Sequence, residues 1–131
     1  MLETAPQRSM LLNADAVSAS SDNGNAVATK LAPAGQRVFI LGFECSYSSP
    51  APGIKTVQLQ VDGDASNPTD TLEFIHDFAM GPLRVTFATP PHSLYGPKFP
   101  DGITDVSPHV LLPASGVGGQ IGTATLYFAL R

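Results

Sequence analysis

Three histidines, one cysteine, a group of aspartates and a run of glycines are the residues of this sequence able to support chemistry. His76, His92 and His109 lie 16 and 17 residues apart. No His-x-His or His-x-x-x-His pair therefore exists to build a metal site on one strand or helix, which argues against a cupin-like metal enzyme. His76 falls on an apolar strand face, where a hydrogen-bonded core histidine is commoner than a ligand. Cys45 shares its face with Phe43 and Tyr47 and has no basic neighbour to lower its pKa, so a nucleophilic thiolate is not expected. Asp62, Asp64 and Asp70 offer oxygens to a hard cation, yet the segment lacks the alternating ligand series and closing glutamate of an EF-hand. Asp62-Gly63 reads instead as turn chemistry. Gly116, Gly118, Gly119 and Gly122 resemble a phosphate loop only in composition. A dinucleotide fingerprint needs glycine where Ile121 stands and a helix after it, and a P-loop needs a Gly-Lys-Ser/Thr ending. The expectation is a protein with no catalytic residues, no metal and no cofactor, and hence not an enzyme.

The elements that hold these residues follow from composition and periodicity. Charged residues make up 14% of the chain and hydrophobic residues 43%, with twelve Gly, twelve Pro and no Trp. That profile suits many short strands joined by tight turns. The formal net charge is −4 and the seven Lys and Arg are scattered, which argues against a nucleic-acid partner. A chain of 131 residues fits one domain that buries roughly two-thirds of its unfolded surface. The first residues lack a charged region followed by an apolar core, and no run approaches the ~20 apolar residues of a membrane span. The expectation is a soluble protein made in the cytoplasm, with Cys45 a buried thiol in a reducing compartment and no membrane partner.

Residues 1–25 read as an N-terminal arm with a weak first strand, Met10 to Val17, and a polar loop from Ser18 to Asn25. Residues 26–131 read as the folded domain. Val27, Thr29 and Leu31 share one face of a second strand. From Gln36 to Tyr47, Phe39, Leu41, Phe43, Cys45 and Tyr47 share a face, and Val38 and Ile40 make the start apolar on both sides, as in a central strand. Val57, Leu59 and Val61 alternate with polar residues, as do Leu72, Phe74, His76 and Phe78. Gly81-Pro82 predicts a hairpin into Leu83, Val85 and Phe87. Residues 89–103 carry Pro90, Pro91, Pro97 and Pro100, which no central strand tolerates. Pro108, Val110 and Leu112 lead into the glycine turn. In the closing strand Ala124, Leu126, Phe128 and Leu130 face one side, and Thr123, Thr125, Tyr127 and Arg131 the other. About eight antiparallel strands, with no helix and no repeat, predict an all-β, two-sheet β-sandwich of jelly-roll type.

Function is then expected on the surface. Ile75, Leu111, Ile121 and Tyr127 lie opposite the core faces of their strands, and exposed apolar area of this kind marks an interface. The Pro-rich loop offers Tyr95 and Phe99 as further contacts. A carbohydrate- or host-receptor-binding module is the alternative, with Tyr95 and Phe99 its candidate stacking rings.

The runs Leu31-Ala32-Pro33-Ala34-Gly35-Gln36-Arg37-Val38-Phe39-Ile40-Leu41-Gly42-Phe43-Glu44-Cys45-Ser46-Tyr47-Ser48, the strand end Val61-Asp62-Gly63, and Leu112-Pro113-Ala114-Ser115-Gly116-Val117-Gly118-Gly119-Gln120-Ile121-Gly122 carry a resemblance. They resemble small capsid decoration, or cement, proteins of tailed bacteriophages, over residues 26–131. The resemblance implies a compact jelly roll on the outer capsid surface of the virion, a homotrimer in contact with the major capsid protein, clamping neighbouring capsomers. A tail or head-fibre domain of a virion is a second alternative.

Overall fold

The computed structural model describes residues 15–31, 33, 36, 38–50, 52–62, 70–87 and 108–130, with the side chains of Val61, Asp62 and Asp70 excepted. They form eight strands: β1 (Asp15–Asp22), β2 (Ala26–Thr29), β3 (Val38–Tyr47), β4 (Ile54–Asp62), β5 (Asp70–Asp77), β6 (Leu83–Thr86), β7 (His109–Leu112) and β8 (Ile121–Leu130). A 3-10 turn, Phe78–Met80, separates β5 from β6. The first sheet has the order β1-β8-β3-β6 and the second β2-β7-β4-β5, and every pairing is antiparallel. Among these strands only β4 and β5 are consecutive within one sheet. Every other connection crosses to the opposite sheet, which is the wrapping of a jelly roll. The expected fold class is therefore the observed one.

All eight strands point apolar side chains into the space between the sheets. Ala26, Ala28, Ile40, Phe43, Cys45, Val57, Leu59, Phe78, Val110, Leu112, Ala124 and Leu126 form one buried cluster. Val17, Leu72, Phe74, Leu83 and Val85 close it from the outer strands. Burying a Leu, Ile, Val or Phe stabilises by about 1.5–3 kcal/mol, so this cluster supplies the main driving force. Phe43 and Phe74 meet edge to face across the sheets at 5.1 Å, and Tyr47 meets Phe78 in the same way at 4.8 Å.

Four sequence expectations change. The first strand spans Asp15–Asp22, so Ser18 to Asp22 are strand and not loop, and these residues pair along β8 from Ser18↔Thr125 to Asp22↔Ile121. Ser18, Ser20 and Asp22, which look like loop composition, are the outward side of a strand at the edge of the described sheet. In β2 the buried face is Ala26 and Ala28, while Val27 faces outward, because the two alanines admit close approach of the opposite sheet. In β3 the register shifts between Ile40 and Gly42, a β-bulge that breaks the period of two. Ile40 thus joins Phe43 and Cys45 in one cluster, although strict alternation puts them on opposite faces. Finally, β5 and β6 are not a hairpin: β5 pairs with β4, whereas β6 pairs with β3 in the other sheet. Asp77 caps the intervening 3-10 turn by accepting from the Ala79 N–H at 3.0 Å, and Gly81, at φ 114°, redirects the chain between the sheets.

Candidate functional site

Among the described residues, the groups singled out for chemistry take part in packing and hydrogen bonding. Cys45 is fully buried, and burial, followed by the nearby Glu44 charge, pushes its thiol up to about 12. A thiol so held stays protonated at neutral pH and is no nucleophile. His76 lies edge to face with Phe78 at 4.8 Å, and its Nε2 donates to the Gly81 carbonyl at 2.9 Å, a carbonyl being an acceptor only. That bond ties β5 to the turn that leaves it. His109 is 7% exposed in the row Thr29-His109-Gln60 of the second sheet. Among the described residues no group of three His, Cys, Asp or Glu side chains is arranged to hold a metal ion. His92, the Asp64 site and the side chains of Asp62 and Asp70 lie outside the described residues, as do Tyr95 and Phe99 of the expected contact loop.

The glycine run is a turn whose donors are already used. Gly116 N–H donates to Asn23 Oδ1 at 2.8 Å, Gly119 N–H to Asp22 Oδ1 at 3.0 Å, and Ala114 N–H to Asn25 Oδ1 at 3.0 Å. Asn23 adopts a left-handed φ of 49°, which asparagine tolerates better than most residues, and its own N–H donates to the Gln120 carbonyl. The β1–β2 connection therefore clamps the β7–β8 connection. No free nest of N–H groups remains on these three residues to receive an anion. A second tie comes from Tyr47, whose hydroxyl donates to the Pro113 carbonyl at 2.6 Å. Burial, and then the adjacent Cys45, push its phenol up to about 12.

A cleft of about 260 Å³ opens beside this tie, walled by Tyr47, Pro50, Phe78 and Pro82 with Ser46 and Ser49 at its rim. Phe78 is 4% exposed and the Tyr47 hydroxyl is already engaged by the Pro113 carbonyl.

The four residues expected at an interface separate into two groups. Ile75 and Leu111 face outward from the second sheet, Ile121 and Tyr127 outward from the first. The core lies between them, so they form no single patch. On the second sheet the outward rows are Val27-Leu111-Gln58-Glu73 and Thr56-Ile75, with Ile54 diagonal to Ile75. Ile75 is 76% exposed and Ile54 67%. Leu111 is half-buried beside Val27. Ile54 is hard to single out in the sequence because it adjoins the Pro-Gly turn at the very start of its strand.

The outward side of the first sheet has another chemistry. Its rows are Ser20-Thr123-Ser46, Ser18-Thr125-Glu44-Arg84 and Ala16-Tyr127-Gly42-Thr86. Ser18 and Thr125 hydroxyls are 2.8 Å apart, those of Ser20 and Thr123 3.0 Å, and Arg84 Nε donates to Glu44 Oε2 at 2.6 Å. Ile121, 46% exposed, ends this strip.

No family model matches the chain, and no curated protein matches it. Solved structures do. A structure described as "CBM4 structure and function" aligns at 15% identity over 90% of this chain and 82% of its own, with a TM-score of 0.40. TmCBM61 in complex with β-1,4-galactotriose aligns at 16% identity over 88% and 69%, with a TM-score of 0.39. The Triatoma virus empty capsid aligns at 11% identity over 95% and 92%, with a TM-score of 0.36. Carbohydrate-binding modules and viral capsid proteins thus both stand among the structural neighbours of this all-β fold. No helix among the described residues is long and apolar enough to cross a membrane.

Proposed function

We propose that this chain is a structural virion protein, a jelly roll that binds an outer capsid surface as a homo-oligomer and stabilises contacts between capsomers. The observation that carries the reading is the outward side of the second sheet. Ile54 and Ile75 stand exposed there and Val27 and Leu111 lie along the same sheet, while the inner face is already packed. Large apolar side chains clustered at one end of a sheet face lose hydration cost when another protein covers them. The low charged fraction, 14%, agrees with a surface made for contact. A trimer engaging a capsid lattice at several points needs only modest area per contact, because each further contact is effectively intramolecular. The major capsid protein is the partner this reading requires, and no catalytic step enters it.

Light scattering on the purified full chain tests the proposal. The expected result is a trimer that Ile75→Asp converts to a monomer with an unchanged circular dichroism spectrum. A wild-type chain that stays monomeric at high concentration, or an oligomer indifferent to Ile75→Asp and Ile54→Asp, overturns the assignment of this face. Electron microscopy of the virion with the protein labelled locates its position on the particle.

A further inference from the structure

We propose that the outward side of the first sheet is a binding platform for neutral glycans, a property beyond the assembly reading and independent of it. The platform is the strip Ile121, Thr123, Thr125 and Tyr127 on β8, flanked by Ser18 and Ser20 on β1 and by Ser46 on β3. Four alternate residues span about 20 Å along the strand, and three strands about 10 Å across, which is the format of an extended oligosaccharide rather than of a single sugar.

The chemistry of the strip selects the ligand class. Each hydroxyl brings one donor and two lone pairs, so each Ser–Thr pair, after making its own bond, still offers one O–H and three lone pairs outward. A sugar hydroxyl is likewise donor and acceptor, and such a mixed array satisfies it. An anionic ligand would need cations or spare N–H groups. Arg84 is the cation that the described residues place in these rows, and the Glu44 carboxylate neutralises it at 2.6 Å. The apolar ends of the strip suit the C–H faces of sugar rings, with Tyr127 as the aromatic surface and Ile121 as the aliphatic one. Tyr127 is flanked in its row by Ala16 and Gly42, neither of which carries a side chain large enough to cover the ring. Phe39, which shares the outward side near Ala129, is 6% exposed, so the open part of the sheet is the hydroxyl end. A second copy of this chain is a poorer occupant. Protein interface cores are apolar and depleted in serine, whereas this strip is hydroxyl from Thr123 to Thr125 and across to both neighbouring strands.

The test uses the full chain on an array of immobilised neutral, sialylated and sulfated glycans, followed by calorimetric titration of the strongest neutral oligosaccharide. The expected result is retention on neutral glycans, weakened about tenfold or more by Thr123→Val with Thr125→Val, as losing hydrogen bonds at a shared site requires. Valine keeps the shape and the strand preference of threonine, and Ser18→Ala with Ser20→Ala on the edge strand provides a second variant should the first fail to fold. Gln58→Ala on the opposite sheet is the control and binds as wild type. No retention on any neutral glycan, retention confined to acidic glycans, or undiminished binding by both hydroxyl variants overturns the proposal. So does light scattering in which the hydroxyl variants lose the wild-type oligomer, since the strip is then an interface between copies.

Discussion

Alkaline pH should destabilise this protein, and one contribution that a single substitution isolates is the Cys45 sulfur. Burial, reinforced by the Glu44 charge, pushes the thiol from 9.0 to about 12 in the folded chain. Between those values the unfolded chain has lost the proton and the folded chain has kept it. The folded state then binds more protons, so its stability is complete below pH 9 and falls as pH rises toward 12, by about 1.4 kcal/mol per unit. At pH 11 the loss is about 3 kcal/mol, a large part of the roughly 5–15 kcal/mol that holds a domain of this size together. Urea unfolding of wild type and Cys45→Ala at pH 7.5 and at pH 11 measures it. The variant starts less stable because truncation leaves a small void, but its stability falls less with pH, and the gap between the two proteins narrows. Tyr47, also pushed up to about 12, adds an alkaline loss whose larger cause, burial, remains in the variant, while the smaller part due to Cys45 is lost with the thiol. Parallel stability curves for the two proteins would refute the reasoning, as would alkylation of Cys45 in the native state at the rate of a free thiol.

Two further substitutions probe the connections that shape the surface. Gly42→Ala drives a methyl group into the Val85 carbonyl of β6, so it should cost about 1–3 kcal/mol and weaken hydrogen-exchange protection of the Phe87 amide, which donates to Leu41. Asn23→Ala removes the acceptor for the Gly116 N–H and strains a left-handed position, for a loss of about 1–2 kcal/mol in thermal unfolding. Asn23→Gly relieves the backbone but not the missing acceptor, and should recover only part of that loss.

What the sequence discloses and what it hides divides by the range of the interaction. The alternation of β8 is fully legible, since Ala124, Leu126 and Phe128 are buried where the period of two places them, and the inward series Leu72, Phe74 and His76 of β5, continued by Phe78 in the turn after it, follows the same logic. Both are local patterns. The second half of β1, from Ser18, is illegible because its outward serines carry the same composition as a loop. The bulge between Ile40 and Gly42 is invisible in a run that is apolar on both sides, where one extra residue changes no hydropathy. The separation of Ile75 and Leu111 from Ile121 and Tyr127 depends on which sheet each strand joins. That is decided by partners far away in sequence, such as Gln58 for Leu111 and Gly42 for Tyr127. The hydroxyl strip is likewise a property of three strands brought together, and no single stretch announces it.

The central position of β8 in its sheet bears on how the protein is made. β1 has β8 as its only described ladder partner, and β3 pairs along the other side of β8. A ribosome delivering this chain in order therefore exposes β1 as an unpaired strand while more than a hundred further residues are added. Such pairing between sequence-distant segments is slow, on the order of milliseconds to seconds for sandwiches of this kind. During that interval β1, whose side chains are mostly Ser, Ala and Asp, has little apolar surface to bury against another strand, and the polar composition that disguises it in the sequence keeps its aggregation propensity low.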